Sequence, residues 1–281
     1  ALSILRTLSL RQKIGQRLKG IPETSLIPLW ARAVESKSPS PIITDDKSIE
    51  MMKRIDYDFS KFEGAWMSQI GVVIRTQLLD NATEAFIGSH PDAVIINIGC
   101  GLDTRFSRLD NGKISWYDLD LPEAIGIRRQ FFCETDRYKM IANSVFDYSW
   151  IDVIGQSDRP VLIIAEGVFM YFTEKVVIDL FNMMIASLNG AEVLVEIITT
   201  TMVKRSKQHD SLSKMDAKFR WGVKGGKEME KYNNRIKFIE EWNYYDYHPQ
   251  RWRWVRLLAL IPAFKNRFNG RIVHLAFDGQ E

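Results

Sequence analysis

Apolar positions along this chain change rhythm near residue 90. Upstream they recur at helical spacing: Leu26, Ile27, Trp30, Ala31 and Val34 share one face of a helix expected to begin near Glu23-Thr24 and to be stopped by Pro39 and Pro41. A second helical region over residues 66–79 groups Ile70, Val73, Ile74 and Leu78. From Pro91 onward short apolar runs take over, at residues 93–98, 114–117, 138–142, 161–165 and 192–198, with helices fitting between them. The clearest helix covers residues 173–188, with Thr173 placed to cap it and Asn189-Gly190 to end it. Such alternation predicts an α/β protein: a mostly parallel sheet with helices on both faces. After Ile198 the rhythm breaks. Residues 199–237 are polar, partly helical, and carry Gly222, Gly225 and Gly226; a strand over 239–245, a helix over 249–260 and a last strand over 272–277 follow. We expect a helical cap over residues 1–85 and a core over 86–281, with a cap insertion at about 199–237.

Charge and composition exclude more than they select. A net charge of +3, with basic residues scattered among acids, offers no stripe for nucleic acid. The two cysteines, Cys100 and Cys133, form no CxxC pair and no metal-ligand spacing. That pattern fits a reduced, cytoplasmic protein without a structural metal. No run approaches the ~20 apolar residues of a membrane span. The first twenty residues are rich in Leu and Ile but interrupted by Arg6, Arg11, Lys13, Arg17 and Lys19, which suits an amphipathic helix packed on the body better than a leader segment.

The chemistry concentrates at strand ends. Asn97-Ile98-Gly99-Cys100-Gly101 stops a buried strand at a glycine pair, where the backbone must pass close to something. The next strand ends in Asp118-Leu119-Asp120. A glycine turn followed by an acid at the neighbouring strand tip is the ribose-binding arrangement of nucleotide-handling sheets. One of Asp118 and Asp120 is expected to accept from the ribose hydroxyls and the other to cap the helix beside Pro122; alternation cannot separate them, because both point to one side. Ser144 and Val145, past the third strand, suit an adenine edge and face. Glu166 follows five apolar residues, and an acid there is costly unless it meets a cation or donors. S-adenosylmethionine brings a sulfonium and an ammonium. Two terminal strands joined by a helix after five βα units also match a class I methyltransferase sheet, Rossmann-like with an antiparallel last strand. A nicotinamide oxidoreductase is disfavoured, since Asp103-Thr104 replaces the third glycine of the dinucleotide fingerprint.

The stretches 97–106 (Asn-Ile-Gly-Cys-Gly-Leu-Asp-Thr-Arg-Phe), 116–122 (Trp-Tyr-Asp-Leu-Asp-Leu-Pro) and 165–172 (Ala-Glu-Gly-Val-Phe-Met-Tyr-Phe) resemble the leucine carboxyl methyltransferase family, and most of all its bacterial polyketide-modifying branch. Arg32-Ala33, Ile74-Arg75-Thr76 and Ser149-Trp150 extend the resemblance across most of residues 25–200. It implies a class I fold that uses S-adenosylmethionine, releases S-adenosylhomocysteine, and methylates an oxygen, often a carboxylate. Carried over by position, the cofactor contacts fall on Arg75, Gly99, Asp120, Ser144, Val145 and Glu166, with Arg75 meeting the methionyl carboxylate. The region after about Thr199 has no motif to carry over.

A carboxylate acceptor, with a pKa near ~4, is already ionised and needs no base. A phenol, near ~10, would gain ~10²–10⁴-fold from one. The histidines are His90, His209, His248 and His274, of which His248 is a weak candidate base. The lack of an obvious base favours a small-molecule carboxylate. The alternatives are a small-molecule hydroxyl, or a silent regulatory protein that keeps the cofactor fold. The aromatic segment Trp242, Tyr244, Tyr245, Tyr247, Trp252 and Trp254, with Arg251, Arg253 and Arg256 interleaved, reads as core packing or as a flat substrate pocket rather than a nucleic-acid surface.

Overall fold

A computed structural model describes residues 23–155, 158–205 and 218–278. The expected helix over the first twenty residues, His209 and the middle of the 199–237 insertion lie outside the described residues. Three helices come first: α1 (Leu26–Glu35), α2 (Asp46–Arg54) and α3 (Trp66–Ser89). In α1, Leu26, Ile27, Trp30 and Ala31 are buried, as their spacing predicts. Its end precedes both prolines: the helix stops at Glu35, where the Ser36 hydroxyl donates to the Arg32 carbonyl at 2.7 Å. Helix α3 runs on to Ser89, ten residues past the expected end. Ile70, Val72, Val73, Ile74, Leu78, Leu79, Phe86 and Ile87 are all buried on it, so it is apolar round much of its circumference. It packs between α1 and the β7 side of the sheet, as a largely apolar helix must.

The sheet elements are β1 (Val94–Ile98), β2 (Ser115–Asp120), β3 (Tyr138–Ala142), β4 (Val161–Ala165), β5 (Glu192–Ile198), β6 (Ile236–Asn243) and β7 (Gly270–Phe277). Between them lie α4 (Arg105–Leu109), α5 (Pro122–Arg128), α6 (Ser149–Ile154), α7 (Glu174–Ser187), α8 (Thr200–Lys204), α9 (Val255–Ala259) and α10 (Pro262–Arg267). Among the described residues the strand order is β3-β2-β1-β4-β5-β7-β6. Strands β1 to β5 are parallel, and β7 runs antiparallel to both β5 and β6. This is the class I methyltransferase sheet. The order reverses between β1 and β4, and ligands bind beyond the carboxyl ends at such a switch point.

Three local expectations need correction. Strand β2 extends through Asp118 to Asp120, so Asp118 lies inside the strand, opposite Asn97 and Met140. Strand β6 starts three residues early, its register held by Ile236 opposite Phe277, with an irregularity between Phe238 and Glu240. The single helix expected over 249–260 is a 3₁₀ turn (Pro249–Trp252) followed by α9, because Arg253 adopts a left-handed φ of 49°. Thr173 does occupy the N-cap position of α7, but its side chain makes no capping hydrogen bond.

Candidate active site

The turn after β1 is built from buried polar groups. Asn97 Nδ2 donates to Asp103 Oδ2 and to Asp118 Oδ1, each at 3.0 Å. Gly99 and Gly101 take left-handed φ values of 64° and 46°. A β-carbon at Gly99 would stand 2.2 Å from Val168 Cγ2, so the glycine is required by contact with the loop after β4 as well as by its φ. The Gly99 N–H donates to the Leu119 carbonyl at 2.7 Å, tying the turn to β2. Three buried arginines close it from outside. Arg32 donates to the Leu102 carbonyl at 2.8 Å, Arg128 to the Gly101 and Asp103 carbonyls, and Arg105 to Asp103 Oδ2 at 2.6 Å.

The two acids of β2 have different fates. Asp118 is fully buried and receives Asn97, the Trp116 indole N–H, the Tyr138 hydroxyl and the Arg128 guanidinium. Its oxygens serve the fold. Asp120 stands at the strand tip, half-buried, accepting from the Gly101 N–H and the Leu121 N–H at 2.7 Å each. Burial pushes its carboxyl above the usual range, against those two N–H groups and Arg128. Neither acid caps α5, whose start has no side-chain cap; the expected division of labour is therefore replaced by one buried acid and one at the tip.

Glu166, just past β4, has its charge matched from within the protein. Its Oε2 accepts from Arg105 Nη2 at 2.8 Å, and its Oε1 lies 2.8 Å from Arg75 Nε. Burial would raise its pKa, yet Arg75 and Arg105 hold it below the usual carboxylate range. An acid at this strand end thus does not by itself demand a cationic ligand. Arg75 Nη1 reaches both oxygens of Glu196, at 3.1 and 2.9 Å, and the Tyr244 hydroxyl donates to Glu196 Oε1 at 2.9 Å.

A cavity of about 410 Å³ opens at the carboxyl ends of the strands. It brings together four of the sequence-selected residues, Arg75, Gly99, Gly101 and Glu166, with Asn97 and Asp103 beside them. Asp120 borders it through Gly101, and the Asn143 N–H bonds the Asp120 carbonyl at 2.9 Å. Ser144 and Val145 therefore follow Asp120 outward along the β1-β2-β3 side, beyond the cavity lining. The lining also includes Tyr171, Glu196, Phe219, Tyr244, Trp252 and Asn269. His248, the weak candidate base, does not line the cavity; its Nε2 sits 2.8 Å from Gln77 Oε1. Glu196 and Asn269 were not singled out from sequence. Glu196 had a signal, an acid near the end of an apolar strand like Glu166. Asn269 had none, because the strand pairing that places it is long-range.

Among the described residues no group of three or more His, Cys, Asp or Glu is placed to hold a metal ion, and no helix is long and apolar enough to cross a membrane.

The model of the leucine carboxyl methyltransferase family matches residues 25–185. The tetracenomycin polyketide synthesis O-methyltransferase of Streptomyces glaucescens is 33% identical over 231 residues, covering 82% of this chain and 85% of the relative. An S-adenosyl-L-methionine-dependent methyltransferase of Gibberella zeae is 33% identical over 182 residues, covering 59% of this chain and 60% of that protein. Among solved structures, the magnesium protoporphyrin IX methyltransferase of Synechocystis PCC 6803, crystallised with S-adenosylhomocysteine, superimposes with a TM-score of 0.51 at 10% identity, over 83% of this chain and 94% of its own. That likeness concerns the fold. The family match and the Streptomyces relative carry the rest: the chain belongs to the leucine carboxyl methyltransferase family and is an S-adenosylmethionine-dependent methyltransferase.

Proposed function

We propose that this protein transfers the methyl group to an oxygen of a small-molecule carboxylate or hydroxyl, as a metabolite-modifying O-methyltransferase. The observation that carries this reading is a cavity whose lining joins Arg75, Gly99, Gly101 and Glu166 to the aromatic residues Tyr171, Phe219, Tyr244, Tyr245 and Trp252. The name of the Streptomyces relative supports a polyketide-like acceptor. The residues present suit the cofactor. Positive-φ glycines leave backbone open to close approach, Asp120 offers a carboxylate at the β2 tip, and the Arg75 side chain lines the cavity.

When bound, S-adenosylmethionine supplies a methyl group carried on a sulfonium. In our assignment Asp120 accepts from the ribose hydroxyls, Ser144 and Val145 meet the adenine, and Arg75 donates to the methionyl carboxylate. Glu166 holds Arg75 and Arg105 in place from beneath. Asp118 is left out of the cofactor set. The aromatic wall excludes water and aligns the acceptor, and such positioning is worth ~7–11 kcal/mol. Glu196 is committed to Arg75 and Tyr244, and His248 stands outside the cavity. An acceptor oxygen that arrives ionised suits these surroundings. We divide the chain functionally into a helical cap, residues 1–85, and a methyltransferase core, residues 86–281, with the 199–237 insertion as part of the acceptor side.

Calorimetric titration with S-adenosylhomocysteine, with NAD as control, tests the cofactor side. Micromolar binding of the former alone is expected, and Asp120→Ala combined with Glu166→Ala should abolish it. Unchanged affinity in that double variant would overturn the site assignment. Labelled-methyl transfer to carboxylate and phenol acceptors then separates an enzyme from a silent cofactor-binding protein.

A further inference from the structure

The net charge of +3 conceals a local imbalance. Between Asp246 and Asp278 the chain has no acidic residue, yet Arg251, Arg253, Arg256, Lys265, Arg267 and Arg271 all fall there. Glu35, Asp246 and Glu241 pair with Arg251, Lys265 and Arg271. Arg253, Arg256 and Arg267 are exposed and form no ion pair among the described residues.

Among these cations stand large apolar side chains open to solvent: Trp254 and Leu257, each 62% exposed, Leu260 at 79% and Ile261 at 52%. Trp254, Leu257 and Leu260 recur every three residues along α9 and its two flanking caps, which puts them on the side away from the buried Val255. Pro262 and Ala263 prolong the run, so residues 260–263 are four consecutive exposed apolar positions. A run of that kind on a basic background calls for a partner.

Charge decides which partner fits. Residues 1–22 are apolar-rich but contain Arg6, Arg11, Lys13, Arg17 and Lys19 and no acid, so they would meet the patch with like charge. An isologous pairing of two copies would set the same arginines against one another. The partner must be anionic and must offer an apolar layer. At 79% exposed, Leu260 stands out from the surface instead of lining a groove, which suits insertion between acyl chains. We propose that the 253–267 surface docks the protein on an anionic phospholipid bilayer, with Trp254, Leu257, Leu260 and Ile261 entering the acyl boundary and Arg253, Arg256 and Arg267 meeting the headgroup phosphates. The segment leaves the cavity lining at Trp252 and rejoins it at Phe268, and Arg253 lies 4.8 Å over the ring of Trp66, next to the exposed, cavity-lining Met67. Docking therefore brings the cavity close to the bilayer.

Flotation of the full chain with vesicles of phosphatidylcholine alone, and of equal parts phosphatidylcholine and phosphatidylglycerol, tests the proposal. Binding to the mixed vesicles and little to phosphatidylcholine is expected, and added salt should weaken it. Leu257→Ser combined with Leu260→Ser should lower vesicle affinity about 10- to 100-fold, and Arg256→Gln about five-fold. Both variants should keep the parent's Tm and its affinity for S-adenosylhomocysteine, since these side chains are exposed and outside the cavity lining. Unchanged vesicle binding in the leucine pair would overturn the proposal and leave residues 1–22 or bare charge as the cause. Absence of binding to mixed vesicles by folded protein would overturn it too, and a dimer seen by analytical ultracentrifugation but lost in the leucine pair would assign the patch to a second copy. Retention on polyglutamate as strong as on mixed vesicles, and likewise lost in the leucine pair, would assign it to an acidic protein.

Discussion

Four side-chain donors converge on Asp118, from Asn97, Trp116, Arg128 and Tyr138, while Asp120 receives two backbone N–H groups. Removing Asp118 leaves the Arg128 charge buried and uncompensated, a change that costs about 3–5 kcal/mol. Asp118→Ala should therefore lower Tm sharply. Asp120→Ala should leave Tm close to the parent and weaken S-adenosylhomocysteine about 10- to 150-fold. Thermal melts and calorimetry on the two variants check both halves; a large Tm loss with Asp120→Ala would reverse the roles. Period-2 alternation could not make this distinction, because it depends on Arg128 and Tyr138 arriving from α5 and β3. The acid at 166 was legible for a sound reason, the cost of burying charge, but its compensating cations proved to be Arg75 and Arg105. Arg105 sat in a quoted motif with no role attached, and only the fold shows Asp80 and Glu166 gathered on it.

At the scale of elements, strands β3, β4 and β5 match their predicted bounds residue for residue. Strand β4 is central and buried at every position, so an unbroken apolar run marks it; β3 stands at the sheet edge and carries Lys139, yet its short apolar run has the same bounds. The edge strand β6 mixes charged and apolar residues and carries an irregularity, so its three-residue offset is the sort of error that pattern alone produces. The break at Arg253 was equally hidden, since no glycine or proline stands at the residue that takes the positive φ. The turn from β1 towards α4 offers a quantitative check. Gly99→Ala meets both a left-handed φ, costing about 1–2 kcal/mol, and the Val168 side chain 2.2 Å away. Adding Val168→Ala removes the 2.2 Å clash, keeping only a tight 3.3 Å contact with the residue's β-carbon, and leaves the first conflict in place. Urea unfolding should show the double variant less destabilised than the sum of the singles. Strict additivity would mean the two loops do not touch.

Over the whole molecule, buried carboxylates held by arginines set the response to acid. Burial raises the pKa of Asp45 and Asp103, but Arg32 and Arg108 acting on Asp45, and Arg105 and Arg108 on Asp103, bring each below its ordinary 3.8. Glu166 is likewise held below 4.5 by Arg75 and Arg105. Folded values below unfolded ones mean that the unfolded chain binds more protons as pH falls. The stability these groups contribute is then complete above about pH 5 and drains away below about pH 4.5. Tm followed from neutral pH downward should hold until that point and then drop; a decline already under way near pH 6 would place the transition on histidines instead. Bound S-adenosylhomocysteine at a hundred times its Kd should add about 2.7 kcal/mol, read as a rise in Tm that NAD does not produce.

The pairing of Gly270 with Ile198 has a consequence for how such a protein changes over time. It returns the chain to the place it left, so residues 199–269 form an excursion whose two ends are neighbours. Closing a longer excursion costs only about 0.6 kcal/mol for each doubling of its length. The family match ends at residue 185, while Phe219, Tyr244, Tyr245, Trp252 and Asn269 all lie within this excursion. In our assignment the cofactor contacts lie outside this stretch, so the aromatic part of the cavity can be altered by editing one closed segment of the chain while those contacts stay in place.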